Sequence, residues 1–93
     1  MSAAPEVRHN TAAHRYEIDI DGHQAVAEYE LDAGRQVFTH TYVPTELRGK
    51  GLAEKLVRRA LEDARSEGRK VVPACSYVAV FIERNKEFQA LLA

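Results

Sequence analysis

Arg48-Gly49-Lys50-Gly51-Leu52-Ala53 joins an apolar, strand-like run to the start of a long amphipathic helix pattern. Two glycines at a strand-to-helix junction let the backbone approach a ligand with no Cβ in the way. A helix start presents unpaired N–H groups and a partial positive charge, which together favour phosphate. Arg48 and Lys50 add formal charge at the same place. Gly-x-Gly alone occurs in many strand–helix turns; the charged flanks and the strand–helix context point beyond a plain turn to a phosphate-bearing ligand. The stretch is not a P-loop, because Gly-x4-Gly-Lys-Ser/Thr is absent. Nor is it the dinucleotide fingerprint, because Glu54 stands where the third glycine would be.

Downstream, Leu52, Leu56, Ala60 and Ala64, with Ala53, Val57 and Leu61 beside them, form one apolar helical stripe. Glu54, Lys55, Arg58, Arg59, Glu62 and Asp63 occupy the other face, with helix-stabilising spacing in Glu54–Arg58 and Arg59–Asp63. The arginines read as a solvated face, and Gly68 reads as the C-terminal cap. Lys70–Ala74 is a short buried strand built on Val71 and Val72, with Pro73 stopping it or marking an edge. From Ser76, the run Tyr77, Val78, Val80, Phe81 and Ile82 reads as one or two helical turns, ended by Glu83-Arg84-Asn85. Phe88, Leu91 and Leu92 are expected to pack the end of the chain onto the core.

Upstream, Tyr16, Ile18 and Ile20 alternate with Glu17 and Asp19, the period-two pattern of a half-buried strand. Asp21-Gly22 is a hairpin signal. Ala25, Ala27, Tyr29 and Leu31 then alternate with Val26, Glu28 and Glu30 on the returning strand. Asp32-Ala33-Gly34 turns again into a third strand, Gln36–Val43. Its alternation predicts Val37, Thr39, Thr41 and Val43 on one side and Phe38, His40 and Tyr42 on the other. Pro44 ends it. The expected fold is a compact α/β (α+β) domain: a mostly antiparallel sheet, one long helix packed on it, and a short C-terminal helical region. Residues 1 to 6 are expected to be a loose tail, and residues 7 to 93 a single domain.

With 93 residues, the chain can bury one core but not two. A formal net charge of −1 argues against nucleic-acid binding through a basic surface. The single cysteine, Cys75, has no partner for an internal disulfide, which fits a reducing compartment. The N-terminus has no apolar core of signal-peptide length, and no run is long enough to span a membrane. A soluble cytoplasmic protein, monomeric or weakly dimeric, is expected.

Tyr42-Val43-Pro44, Arg48-Gly49-Lys50-Gly51-Leu52-Ala53, Leu56, Ala60 and Pro73-x-Cys75-Ser76-Tyr77-Val78 together resemble the small single-domain members of the GNAT acetyltransferase superfamily. The glycine motif is shared across that superfamily, and the Cys-Ser-Tyr-Val segment is similar to a narrower group of minimal GNAT-like proteins. The resemblance runs from about Glu17 to the C-terminus. It implies an N-acetyltransferase with acetyl-CoA as cosubstrate and an amine as acceptor, either a small molecule or a protein lysine or N-terminus. It also implies pyrophosphate binding by the backbone of Arg48, Gly49, Lys50, Gly51, Leu52 and Ala53. The pantetheine arm would fall on Thr41, Tyr42 and Val43 at a splayed strand edge, and Ser76 joins the same cofactor-binding set. The sequence departs from the family pattern at Glu46, where Gln or Arg is usual three residues before the first glycine. A carboxylate beside a pyrophosphate is unfavourable, so Glu46 is expected to point away.

Cys75 and His40 are the candidate catalytic residues. Cys75 is open to three readings: a buried small hydrophobe, a residue lining the thiol pocket, or an acetyl acceptor whose pKa a helix start lowers. Ser76 also suits the N-cap of the following helix. His40 offers a general base for the amine, or is simply a partly exposed strand histidine. Tyr77 suits a proton donor to a leaving thiolate, or a core aromatic. No metal site is expected: His9, His14 and His23 lack ligand spacing, and Cys75 has no partner nearby in sequence. Two rivals to catalysis stand beside it, a non-catalytic CoA or acyl-CoA binding module and a small interaction domain whose glycines serve only the turn.

Overall fold

A computed structural model describes residues 6–93 of the chain. Both expected hairpins form on positive-φ pairs, Asp21-Gly22 at 51° and 79° and Ala33-Gly34 at 52° and 81°, as two-residue type I′ turns require. They join β2 (Arg15–Ile20), β3 (His23–Asp32) and β4 (Arg35–Tyr42) into the antiparallel meander. Two short strands extend it to a five-stranded sheet in the order β1-β2-β3-β4-β5. Strand β1 (Arg8–Asn10) pairs antiparallel with β2, and β5 (Val71–Pro73) pairs parallel with β4. Pro73 closes the edge strand β5, where its missing N–H costs no ladder bond. The expected tail falls, apart from Glu6, outside the described residues.

Strand β1 was not foreseen, since Arg8-His9-Asn10 has no apolar alternation. Side chains hold it. His9 stacks on Tyr16 at 4.0 Å between ring centroids, and its Nε2 lies 2.6 Å from the Tyr29 hydroxyl. The Tyr16 hydroxyl donates to Asp63 of the long helix at 2.9 Å.

The third strand departs from simple alternation. Tyr29 faces Phe38, but Glu28 faces His40, so Thr39 is an extra residue, a β-bulge in β4. Past the bulge every side chain changes sides. Thr41, opposite buried Ala27, joins Phe38 on the core side, whereas His40 and Tyr42 turn to the outer side. The expected grouping of His40 with Phe38, and of Thr41 with Val37, is therefore corrected. His40 stacks instead on Tyr42, with ring planes 14° apart.

Helix α1 (Leu52–Ser66) ends at Glu67, with Gly68 at φ 69°. The Arg69 N–H donates to the Ala64 carbonyl and the Gly68 N–H to that of Arg65, a Schellman motif at the expected glycine. Helix α2 (Ser76–Arg84) has Cys75, not Ser76, as its N-cap residue. Both helices pack on one face of the sheet. One core unites Tyr16, Ile18, Ala27 and Phe38 with Leu56, Leu61, Val78 and Ile82. Phe88 and Leu91, on the 3₁₀ segment Lys86–Leu91, join it as expected. Leu92 does not: it is exposed, and its backbone bridges Val71 while the Ala93 N–H donates to the Val71 carbonyl at 3.0 Å. Leu31 is likewise exposed. The arginine face of α1 is less solvated than expected. The Arg58 guanidinium lies 5.2 Å from the Phe81 ring centroid and donates to Asn85, and Arg65 lies over Phe88. No described helix is long and apolar enough to cross a membrane.

On the outer face Glu17 is only 2% exposed, beneath one layer of polar side chains with water beyond it. Arg8, Arg15 and Asn10 all donate to its carboxylate. The Arg15 hydrogen bond is the main force holding the carboxyl below its ordinary range, against the upward push of desolvation. A depressed folded-state pKa gives stability that is full above the unfolded-state pKa and lost as pH falls through the folded one. Urea melts of wild type should therefore weaken through and below the ordinary carboxylate range. Glu17→Gln should show a shallower acid dependence; an identical pH slope would contradict this role.

Candidate active site

Strand β4 leaves its partner early. Its pairing with β5 ends at Phe38 opposite Pro73, and the Cys75 N–H makes a last link to the Phe38 carbonyl at 2.8 Å. From Thr39 to Tyr42 the β4 edge facing away from β3 carries no strand among the described residues. Pro44 then turns the chain into a 3₁₀ turn, Thr45–Leu47, with Leu47 buried as an anchor. Arg48 Nε donates back to the Val43 carbonyl at 3.1 Å, which fixes the loop to the strand end. Glu46 points away, as expected, and lies 3.8 Å from His23 Nδ1.

Gly49 and Gly51 take φ values of 84° and 73°, a region that side-chain-bearing residues rarely enter. Gly51 is the N-cap residue of α1, and the first intrahelical bond runs from the Lys55 N–H to its carbonyl. No side chain caps this end. The N–H groups of Leu52, Ala53 and Glu54 are therefore left without helical partners. They border a groove of about 330 Å³ lined by Val43, Leu47, Arg48, Gly49, Gly51, Leu52, Ala53, Glu54 and Tyr77. Glu54 and Tyr77 also border an adjoining cavity of about 170 Å³ with Val80, Phe81, Arg84 and Asn85.

The groove brings Val43, Arg48, Gly49, Gly51, Leu52 and Ala53 together. Lys50 is exposed beside it without lining it, and Ser76 is an exposed first helical residue that also lines none of it. Tyr42 stands on the outer face, 47% exposed. Thr41 meets Cys75, Oγ1 to Sγ at 3.6 Å, on the core side. His40 and Cys75 are thus on opposite sides of β4. Leu47 and Glu54 were not anticipated in the groove. An apolar residue between a strand-ending proline and the glycines is the signal for Leu47; Glu54 reads in sequence only as a partner of Arg58.

Burial pushes the Cys75 thiol up, but hydrogen bonds from the Val78 backbone, the Thr41 hydroxyl and the Tyr77 backbone outweigh it and hold the thiol below its ordinary value. Tyr77, at the mouth, is shifted the other way: desolvation raises its phenol, and the Glu54 charge adds to this. At neutral pH Tyr77 is therefore a protonated donor. Among the described residues no three His, Cys, Asp or Glu side chains gather as a metal site would need.

Residues 15–91 match the GCN5-related N-acetyl-transferase family. The chain belongs to that family. The GCN5-related chain is 30% identical over 83 residues to Protein NATD1 of Gallus gallus, covering 86% of this chain and 76% of that protein. It is 30% identical over 82 residues to Protein NATD1 of Homo sapiens, covering 85% and 73%. The solution structure of a GCN5-like protein from Staphylococcus aureus superposes with a TM-score of 0.74 at 25% identity, over 95% of this chain and 87% of that one. The mixed α/β architecture of this family member is thus a GNAT fold.

Proposed function

We propose that this GCN5-related chain transfers acetyl from acetyl-CoA to an amine, on a small molecule or at a protein lysine or N-terminus. The observation that carries the reading is the uncapped start of α1, opened by two positive-φ glycines onto a groove beside the free edge of β4. This donor set suits a pyrophosphate: backbone N–H groups at a helix start, no Cβ at Gly49 or Gly51, Arg48 and Lys50 alongside, and Glu46 turned towards His23. The open edge from Thr41 to Val43 offers main-chain partners to a pantetheine arm.

Bound acetyl-CoA supplies an activated acyl group. A backbone N–H near Val43 would polarise the thioester carbonyl, the kind of electrostatic stabilisation that dominates acyl transfer. The amine must be neutral to attack; His40 stands on the outer side of β4, across the strand from Cys75, so it is not assigned to take the proton. Tyr77, which lines the groove, is assigned to give a proton to the leaving thiolate. Direct attack needs no protein nucleophile, so Cys75 is assigned to the lining of the thioester end. Release of free thiol from acetyl-CoA, assayed across polyamines, amino acids and lysine peptides, tests turnover. CoA binding with no release on any amine would leave a binding module instead.

Alkylation of Cys75 measured against pH should give an apparent pKa below the ordinary thiol value of about 8.5, and added CoA should slow the reaction. A value at or above that, with no protection by CoA, would place Cys75 away from the site. Cys75→Ala should keep most of the turnover, and mass spectrometry of wild type with acetyl-CoA should show no acetylated Cys75.

A further inference from the structure

The lining of the groove stops at Val43 and Tyr77. Two residues before each of these, in β4 and at the N-cap of α2, stand Thr41 and Cys75, with Oγ1 and Sγ 3.6 Å apart. At that separation the two atoms touch, and no methylene fits between them. The bulge at Thr39 is what brings Thr41 here, since unbroken alternation would turn it to the outer face. Neither side of the contact is free to retreat. The Cys75 backbone is tied to the Phe38 carbonyl, Phe38 is fully buried, and Thr41 is opposite fully buried Ala27. Thr41 is also β-branched and stiff about χ1.

We infer that Thr41, braced against Cys75, is a specificity-determining residue that closes the acyl end of the groove and restricts the donor to a two-carbon acyl group. The inference rests on the CoA reading above. A pocket that fits acetyl and ends on a rigid contact rejects each added methylene by roughly tenfold or more. Thr41 would act by volume, not through its hydroxyl.

Calorimetric titration of the full chain with CoA, acetyl-CoA, propionyl-CoA and butyryl-CoA tests this without requiring turnover. Wild type should bind CoA and acetyl-CoA alike, and butyryl-CoA at least tenfold more weakly. Thr41→Ala should bring butyryl-CoA to within about threefold of acetyl-CoA, because the branched side chain that meets Cys75 is gone. Thr41→Val keeps that bulk and should discriminate as wild type does. Cys75→Ala, which opens the other side of the contact, should relax selectivity in the same direction and serves if Thr41→Ala does not fold. Equal affinity of wild type for acetyl-CoA and butyryl-CoA would overturn the inference. So would a ratio that neither Thr41→Ala nor Cys75→Ala changes. In both cases CoA itself still binds and the phosphate loop stands. Failure of folded wild type to bind CoA at all would overturn the CoA reading, and this inference with it.

Discussion

Gly51→Val is expected to weaken CoA binding at least tenfold, about 1.4 kcal/mol, in a protein that still folds. A Cβ at Gly51 would meet nothing within 4 Å, so the core is not disturbed. Two costs remain. Gly51 holds φ at 73°, and a β-branched residue there is strained by about 1–3 kcal/mol, which drives the start of α1 out of its present geometry. The valine side chain would also stand in the groove that Gly51 lines, where phosphate oxygens must approach the helix N–H groups. Gly68→Val is the matched control, with φ 69°, equally open space and a place at the far end of the same helix. It should lose comparable stability and keep CoA affinity. Arg48→Ala should cost less than Gly51→Val, since exposed charge contacts are screened, and its effect should shrink as salt rises. Wild-type affinity in a folded Gly51→Val protein would remove the loop from the site.

Phe38→Ala should destabilise the fold by about 3–5 kcal/mol, the usual range for a buried phenylalanine. Against a total of about 5–15 kcal/mol for a small domain, that is a large share. Phe38 is fully buried and meets Tyr29 edge-on at 6.1 Å. It is also the last β4 residue paired with β5, and its carbonyl holds the Cys75 N–H. Loosening it should therefore slacken the junction where β4 and β5 part as well as the core. Urea unfolding measures the loss; a change below about 1 kcal/mol would mean that the sheet and helices do not rest on this side chain.

Local signals account for what was legible in the sequence. Asp21-Gly22 and Ala33-Gly34 dictate their turns by backbone chemistry alone, and the apolar stripe from Leu52 to Ala64 needs only a period to be seen. The glycine side of the groove is equally local. What was not legible depends on residues far apart in the chain. Strand β1 forms because His9 finds Tyr16 and Tyr29, not because Arg8-His9-Asn10 favours a strand. The bulge leaves no mark in Val37-Phe38-Thr39-His40-Thr41-Tyr42, whose alternation runs on unbroken. It is set by how β4 registers against Glu28 and Tyr29, and it sends His40 to the face opposite Cys75. Glu17 reads as an exposed strand residue until Arg8 and Arg15 close over it. The second wall of the groove, Tyr77, arrives from a later helix, so no pattern around Gly49 and Gly51 points to it.

The most direct test is a calorimetric titration of the 93-residue chain with CoA and with acetyl-CoA at two salt concentrations. Saturable one-to-one binding of both ligands is expected, with affinity falling as salt rises. Folded wild-type protein that takes up neither ligand at about millimolar concentration would contradict it.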